Sequence, residues 1–314
     1  MNRKTLDIPE FWCFVPEGGF LFEKVPAPAH AERLLIPNPG STGTRRYQPL
    51  RDCPFLFRRF AEMKPDETGV KEFADQFGFL GHGQVLDDIT QFTSQKRIIG
   101  ERLAHWQSQV YTMRILVKLW DSLRENDWVF LGKVIRWTTS EIIQFNPRVE
   151  DFSDLPEIAI GAEPIAAPHS HLESLQRFQP GDTIEPAKVY LMESVKKQLE
   201  GRVALDFSLN SQGSPILRYS AKNLLGALWL QLAESIIGNA VPKHCEYCKQ
   251  WFEVSGKKGS RSDKRFCSAA CRNQFHLLRQ EKARRLHAQG KRIKTIAKEL
   301  GASVESVTRW ISTK

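Results

Sequence analysis

The chain has 314 residues, of which 41% are hydrophobic and 10% aromatic, which suits two or more globular domains and excludes a disordered chain. Its 45 Lys and Arg residues outnumber its 36 Asp and Glu residues, which favours an anionic partner. The start of the chain leads into no apolar stretch, and Cys13 and Cys53 stand apart from the other cysteines. We therefore expect a cytoplasmic protein without a signal peptide or a disulfide framework.

Residues 1–241 are predicted to form one helical domain that senses a ligand, binds a protein partner or forms a homodimer. The fold class expected for the whole chain is mainly α with a small β component, that is, α+β. Residues 1–54 hold 8 of the 17 prolines, so an irregular arm with short extended pieces is expected there.

The strongest predicted helix covers residues 100–126, where apolar residues recur at alternating spacings of three and four. Such a stripe favours packing in a core, with a dimer seam as the alternative. Its members are Leu103, Trp106, Val110, Met113, Val117 and Trp120.

A long loop is predicted over residues 147–186, which carry six of the prolines. It contains His169 and His171, two candidate metal ligands for which no third ligand is visible. We expect these histidines to be ordinary surface residues.

The sequence after this loop predicts a helix, a β-hairpin and a second helix. A helix is expected over 186–200, and two extended runs flank a turn at 210–214, which is typical of a β-hairpin. An apolar helix is expected over 221–237. Polar residues interrupt it and it is short for a membrane span, so we expect a buried helix and no membrane partner.

Four cysteines fall within 27 residues in the pattern C-x2-C-x18-C-x3-C. Two close pairs separated by a short loop are typical of a structural Zn²⁺ site, in which four thiolates surround one ion. A redox disulfide, or four buried small residues, is the alternative. His244 and His276 lie nearby and are expected to be neighbours rather than ligands. The predicted ligands are Cys245, Cys248, Cys267 and Cys271.

The second cysteine pair is predicted to open a helix, because residues four apart lie on one face of a helical turn. A knuckle, a hairpin and a helix that carries the last two ligands form a treble-clef-like arrangement. We expect this finger, with its long helix, to cover residues 242–289.

The positive charge is concentrated in the last quarter of the chain. Residues 243–314 hold 18 Lys and Arg against 6 Asp and Glu, a net charge of +12, whereas residues 1–242 hold 27 against 30, a net charge of −3. Such a segment attracts a polyanion. We expect this polyanion to be nucleic acid rather than an anionic membrane surface, because the segment has no strong apolar face with which to bind a membrane. The alternative is a solvated basic surface. The predicted phosphate contacts are Lys257, Lys258, Arg261, Lys264, Arg265, Arg272 and Arg279.

Residues 290–314 predict helix, turn and helix. Ile293, Ile296, Ala297 and Leu300 share one face of the first helix. Gly301 suits a tight turn that requires positive φ.

In the second helix, Ser303 is the predicted N-cap. Val304, Val307 and Ile311 are expected to face inward, with Trp310 in the core.

The helix that precedes Gly290 is expected to complete a three-helix unit. This segment resembles the helix-turn-helix of resolvase and invertase DNA-binding domains, which implies that its last helix enters the major groove. A plain helical hairpin packed on the finger is the alternative. The residues expected to read bases are Ser303, Glu305, Ser306 and Arg309.

The order of these parts also resembles the CGNR-type zinc-finger proteins of bacteria, whose N-terminal part is the ABATE domain. The runs at 245–252 and 264–273 carry the resemblance, which implies the same four cysteine ligands and matches Asn273 to the asparagine of the namesake motif. Arg272 stands where that motif has glycine. Family members are regarded as transcription regulators, so the resemblance implies zinc and DNA at the nucleoid.

No enzymatic motif is present in the sequence. The chain has no H-E-x-x-H and no G-x-S-x-G, and the Gly-Lys pair at 256–257 lacks the upstream glycine of a P-loop. A closed four-thiolate site leaves no position for a catalytic water. We predict a zinc-dependent DNA-binding transcription regulator and no enzyme. The alternatives are an RNA-binding protein, and a protein-interaction module of a mobile-element or defence system. An enzymatic role of the N-terminal domain is a third, more remote alternative.

Overall fold

The computed structural model describes residues 11–25, 32–81, 84–85, 99–139, 142–145, 163–166, 178–209, 212–254 and 263–312. The chain has a mixed α+β fold, and its contacts divide it into two compact units, Met1–Gly238 and Asn239–Lys314. His169, His171 and most of the predicted loop over 147–186 lie outside the described residues.

The helices of unit 1 include the three expected from the sequence over 100–126, 186–200 and 221–237, with shifts of at most three residues at either end. They are α1 Pro49–Asp52, α2 Leu56–Glu62, α3 Glu67–Phe77, α4 Leu103–Glu125, α5 Trp128–Val134, α6 Ile184–Leu199 and α7 Leu224–Ile237.

The strands of unit 1 form small antiparallel sheets, in the orders β1-β4, β2-β3-β6-β5, β7-β8-β9 and β10-β11. They are β1 Cys13–Pro16, β2 Phe20–Val25, β3 Glu32–Pro37, β4 Thr44–Tyr47, β5 Gln84–Val85, β6 Ile99–Arg102, β7 Ile135–Thr139, β8 Ile142–Phe145, β9 Glu163–Ala166, β10 Val203–Leu209 and β11 Pro215–Ala221. The N-terminal region is therefore less irregular than expected; two of its prolines, Pro16 and Pro37, lie at strand ends, where a missing N–H is tolerated.

Helix α4 passes through the core of unit 1. Five of the six residues of its apolar stripe are buried, which confirms core packing rather than a dimer seam. On the neighbouring helix α2, the guanidinium of Arg58 donates two hydrogen bonds of 2.7 and 2.8 Å to the carboxylate of Asp121 in α4. The buried residues of the stripe are Trp106, Val110, Met113, Val117 and Trp120.

The apolar helix α7 is buried, as expected, and one of its polar residues has a defined role. The side-chain amide of Gln231 donates hydrogen bonds of 2.9 Å to the carbonyls of Pro49 and Cys53. Gln231 thus adds a side-chain hydrogen bond to two carbonyls around α1 that also accept backbone N–H groups, and so ties α7 to α1. Among the described helices, none is long and apolar enough to cross a membrane.

In the part of unit 2 that the structure describes, residues 239–254 and 263–312, one hairpin is followed by three helices. They are β12 Pro242–His244, β13 Trp251–Glu253, α8 Ala269–Ala288, α9 Ile293–Leu300 and α10 Val304–Ser312. The 20 residues of α8 make it about 30 Å long, so it reaches from the cysteine-rich end of the unit to α9 and α10.

Candidate metal centre

The first cysteine pair occupies the turn of the β12–β13 hairpin. The N–H of Lys249 donates to the carbonyl of Cys245, and the N–H of Cys245 donates to the carbonyl of Gln250, both at 2.9 Å. Lys249 adopts the left-handed conformation with φ of 59°, which turns the chain sharply after Cys248. The turn brings the two thiols to the same side of the hairpin.

The second pair is positioned by the start of α8. The hydroxyl of Ser268 accepts a hydrogen bond of 3.1 Å from the N–H of Cys271 and so caps the helix. Cys271 lies in the first turn, as predicted, whereas Cys267 precedes the cap and lies outside the helix that was expected to carry both ligands.

The four sulfur atoms all lie within 4.8 Å of one another. The Sγ atom of Cys267 is 3.7 Å from that of Cys248 and 3.4 Å from that of Cys271. A tetrahedral ion with metal–sulfur bonds of 2.3 Å would separate its sulfurs by about 3.8 Å. The cluster therefore has the size and the donor atoms for one tetrahedral, thiophilic metal ion.

Neither histidine belongs to this cluster. Nδ1 of His244 lies 3.0 Å from the carbonyl oxygen of Lys249, and its ring packs against Trp251 with the centroids 3.6 Å apart. His276 packs edge-on against Trp310 at the other end of the unit. Both histidines therefore lie outside the candidate ligand set, as the sequence predicted.

The environment of Cys245 favours the thiolate that binds metal. Burial raises its pKa, but backbone N–H groups of Cys267, Cys248 and Tyr247 point at the sulfur and together lower the pKa to about 6. Burial raises the pKa of Cys248 and Cys267 instead. Metal binding must therefore displace protons from these thiols.

An ion pair joins the two cysteine pairs. The guanidinium of Arg265 donates two hydrogen bonds to the carboxylate of Glu246, one of them 2.5 Å long, and the N–H of Glu246 donates to the carbonyl of Arg265 at 3.1 Å. The pair lowers the pKa of Glu246 because the guanidinium stabilises the carboxylate. Arg265, which was predicted to contact phosphate, thus links the segment before Cys267 to the turn that holds Cys245 and Cys248.

The C-terminal half of α8 packs with α9 and α10 in a three-helix core. Partly buried residues on the same helices and in the turn surround this core. Its buried members are Ala283, Leu286, Ile296, Ala297, Val307 and Trp310. The structure thus confirms a core position for Trp310, whereas Val304 was expected to face inward and is 45% exposed.

The turn between α9 and α10 follows the local signals in the sequence. Gly301 has φ of 59°, and the hydroxyl of Ser303 accepts a hydrogen bond of 3.1 Å from the N–H of Ser306. The two serine hydroxyls also lie 2.9 Å apart. The exposed face of α10 then presents Glu305 and Arg309.

The predicted phosphate contacts have different environments. Lys264 and Arg272 are exposed, and the ammonium of Lys264 lies 5.4 Å from the centre of the Phe252 ring. The guanidinium of Arg279 instead donates to the carbonyls of Leu300 and Gly301. Lys257, Lys258 and Arg261 lie outside the described residues.

Further basic residues, not singled out from the sequence, are exposed on α8, α9 and the turn between them. They occupy positions opposite the buried residues of the three-helix core, a periodicity that would have identified them. They are Arg285, Arg292, Lys294 and Lys298.

Comparison of the chain with family models, with curated proteins and with solved structures gave no match.

Proposed function

We propose that the protein is a zinc-dependent, duplex-DNA-binding transcription regulator of the bacterial cytoplasm. The observation that carries this proposal is the construction of α8. One helix holds Cys271 of the thiol cluster in its first turn and packs against α9 and α10 at its other end. This helix lies in the segment with a net charge of +12.

Four thiolates in a tetrahedron are the preferred ligands of a structural Zn²⁺. Among the described residues of the finger, the fully buried core is small: it comprises Cys245, Phe252 and Val254, with partly buried residues packed against them. When bound, the metal would supply folding energy that this core lacks. The ligands are Cys245, Cys248, Cys267 and Cys271, and the resulting treble-clef-like finger has no catalytic role.

The helices α9 and α10 are proposed to act as a helix-turn-helix, with α10 in the major groove. Arg309 can donate two hydrogen bonds to a guanine, the commonest specific base contact of arginine. Glu305 faces the same solvent side and can accept from cytosine. The hydroxyls of Ser303 and Ser306 stabilise the start of α10 through their mutual hydrogen bonds. We therefore propose that they contribute to base recognition mainly by positioning α10.

Phosphate attraction is assigned to exposed cations, because counterion release rewards any lysine or arginine that reaches the backbone. Lys264 and Arg272 are two of them, and Lys257, Lys258 and Arg261 remain predicted contacts. Arg265 and Arg279 also remain predicted contacts, and each in addition donates hydrogen bonds within unit 2, to Glu246 and to the carbonyl of Leu300.

The proposal also keeps the resemblance to CGNR-type regulators, with unit 1 as the part that binds an effector or a protein partner. It is tested by fluorescence anisotropy with labelled duplex DNA, single-stranded RNA and structured RNA, using zinc-loaded full-length chain at about 150 mM salt. We expect duplex DNA to bind most tightly and the Cys248→Ser variant to lose this binding. Tighter binding of either RNA, or no nucleic-acid binding at all, would overturn the proposal in favour of an RNA-binding protein or a protein-interaction module.

A further inference from the structure

The hairpin formed by β10 and β11 in unit 1 has one apolar face. Residues directly opposite each other in an antiparallel pair share a face. The register places Leu205 opposite Tyr219 and Phe207 opposite Leu217. Leu209 follows two residues after Phe207, so it lies on this face as well.

This face is exposed to solvent over most of its length. Phe207 is 75% exposed, Leu205 and Leu209 are each 66% exposed, and Leu217 and Tyr219 are 52% and 47% exposed. Together they present roughly 600 Å² of surface, the upper end of what a monomeric protein leaves uncovered.

The charges of the hairpin lie on its other face, where Asp206 stands opposite Arg218. The five exposed residues of the apolar face carry no charge. A charged partner therefore finds nothing to pair with there, and the face suits a partner that is itself apolar.

The base of the hairpin is fixed to unit 1. The N–H of Lys222 donates to the carbonyl of Arg202 at 2.9 Å, and the guanidinium of Arg202 donates to the carbonyl of Gln198 at 2.8 Å. A Cβ atom on Gly226, in the first turn of α7, would lie 2.4 Å from the Arg202 carbonyl oxygen. Because only glycine permits this approach, the base of the hairpin packs directly against α7, while the apolar face remains exposed to solvent.

We infer that this apolar face, defined by Leu205, Phe207, Leu209, Leu217 and Tyr219, binds the same face of a second copy of the chain. A two-stranded sheet is marginally stable alone and gains a second layer when two such faces pack. A twofold interface requires a self-complementary patch, which an uncharged apolar face provides. Its roughly 600 Å² per copy approaches the about 800 Å² per partner of a stable interface.

The inference does not rest on DNA binding. If both are correct, each dimer carries two copies of α10, as expected for a protein that reads a two-part site.

Sedimentation velocity of the full chain, treated with nuclease and kept reduced, tests this inference. We expect a dimer at low micromolar concentration. The double variant Phe207→Thr with Leu217→Thr keeps strand propensity and removes apolar area, and it should raise the dimer dissociation constant by at least about 100-fold. Asp206→Thr, on the opposite face of the same strand, is the matched control and should dimerise like the wild type.

A wild-type chain that stays monomeric at about 100 µM, a concentration at which even weak dimers associate, would overturn the inference, as would a folded double variant that dimerises normally. If the double variant loses its far-UV circular dichroism, Phe207→Lys decides the matter. A lysine fits an exposed position in the monomer, and in the dimer it places two like charges in the interface. A dimer unaffected by Phe207→Lys would also contradict the assignment.

Discussion

Arg279 in the middle of α8 donates hydrogen bonds of 2.5 and 3.1 Å to the carbonyls of Leu300 and Gly301 at the end of α9. Its guanidinium also lies 5.4 Å from the ring centre of Trp310. A single side chain thus satisfies the free carbonyls at a helix terminus and contacts the buried aromatic residue of α10. The arrangement fixes α9 and α10 to the helix that carries Cys271.

Replacing this guanidinium should therefore destabilise unit 2. We expect Arg279→Ala to lower its stability by about 1–2 kcal/mol, since charge-assisted hydrogen bonds to one part-buried and one exposed carbonyl are lost. Arg279→Lys should restore little, because an ammonium cannot serve two carbonyls and a ring in the same way. Hydrogen exchange of amides in α9 and α10 measures the effect. Arg285→Ala, an exposed position on the same helix, should leave the exchange rates unchanged.

Removing one candidate metal ligand should remove the metal. Cys248→Ser and Cys267→Ser are each expected to abolish retention of one zinc per chain and to expose residues 239–288 to exchange, because the small core of the finger depends on the ion. Zinc content by elemental analysis and exchange by mass spectrometry test this. Cys53→Ser, outside the cluster, should keep its zinc. A folded, zinc-loaded Cys248→Ser variant would refute the site.

Two arginines of unit 2 should affect DNA binding differently. Arg309→Ala is expected to relax sequence preference with little change in salt dependence, since a base contact adds discrimination of about 1–3 kcal/mol. Arg272→Ala, at an exposed position beside Cys271, should weaken all duplexes alike and reduce the salt slope by about 1. Binding titrations at several salt concentrations separate the two. Uniform weakening by both variants would show that the proposed division between base and phosphate contacts is wrong.

Cys13 should make unit 1 sensitive to alkaline pH. The thiol is buried in β1, and this burial, partly offset by a hydrogen bond with Tyr47, raises its pKa to about 12. In the unfolded chain the thiol ionises near pH 8.5. A raised folded pKa means that the stability is fully present below about pH 8.5 and declines as pH rises toward about 12.

We expect the free energy of unfolding to fall by about 1 kcal/mol between pH 8 and pH 9.5, with a smaller fall in Cys13→Ala. Urea unfolding under reducing conditions, followed by tryptophan fluorescence, measures both. Equal slopes in the variant and the wild type would exclude Cys13 as the source.

Features encoded by neighbouring residues could be predicted from the sequence. The spacing of the cysteines predicted the cluster that the structure contains, and Gly301 and Ser303 marked the turn and the cap through local backbone requirements. The helix α4 was predicted because its period of three and four extends over many residues.

Features that depend on long-range geometry could not be predicted. The hydrogen bonds of Arg265 with Glu246 and of Arg279 with the carbonyl of Leu300 were not predicted, because nothing in the sequence shows that these groups lie within reach of each other. Short extended pieces were expected in residues 1–54, but the pairing of β1 with β4 and of β2 with β3 was not predicted, because strand pairing depends on residues far apart in the chain.

The central claim, that the chain is a sequence-specific DNA-binding protein, is tested most directly by a genomic-fragment selection. Zinc-loaded full-length protein is mixed with fragmented bacterial DNA at about 150 mM salt, near the physiological range, and the retained fragments are sequenced. The account predicts a few sharp peaks that share a short motif and that disappear with Cys248→Ser. Diffuse recovery without a common motif, or no recovery of duplex DNA, would contradict it.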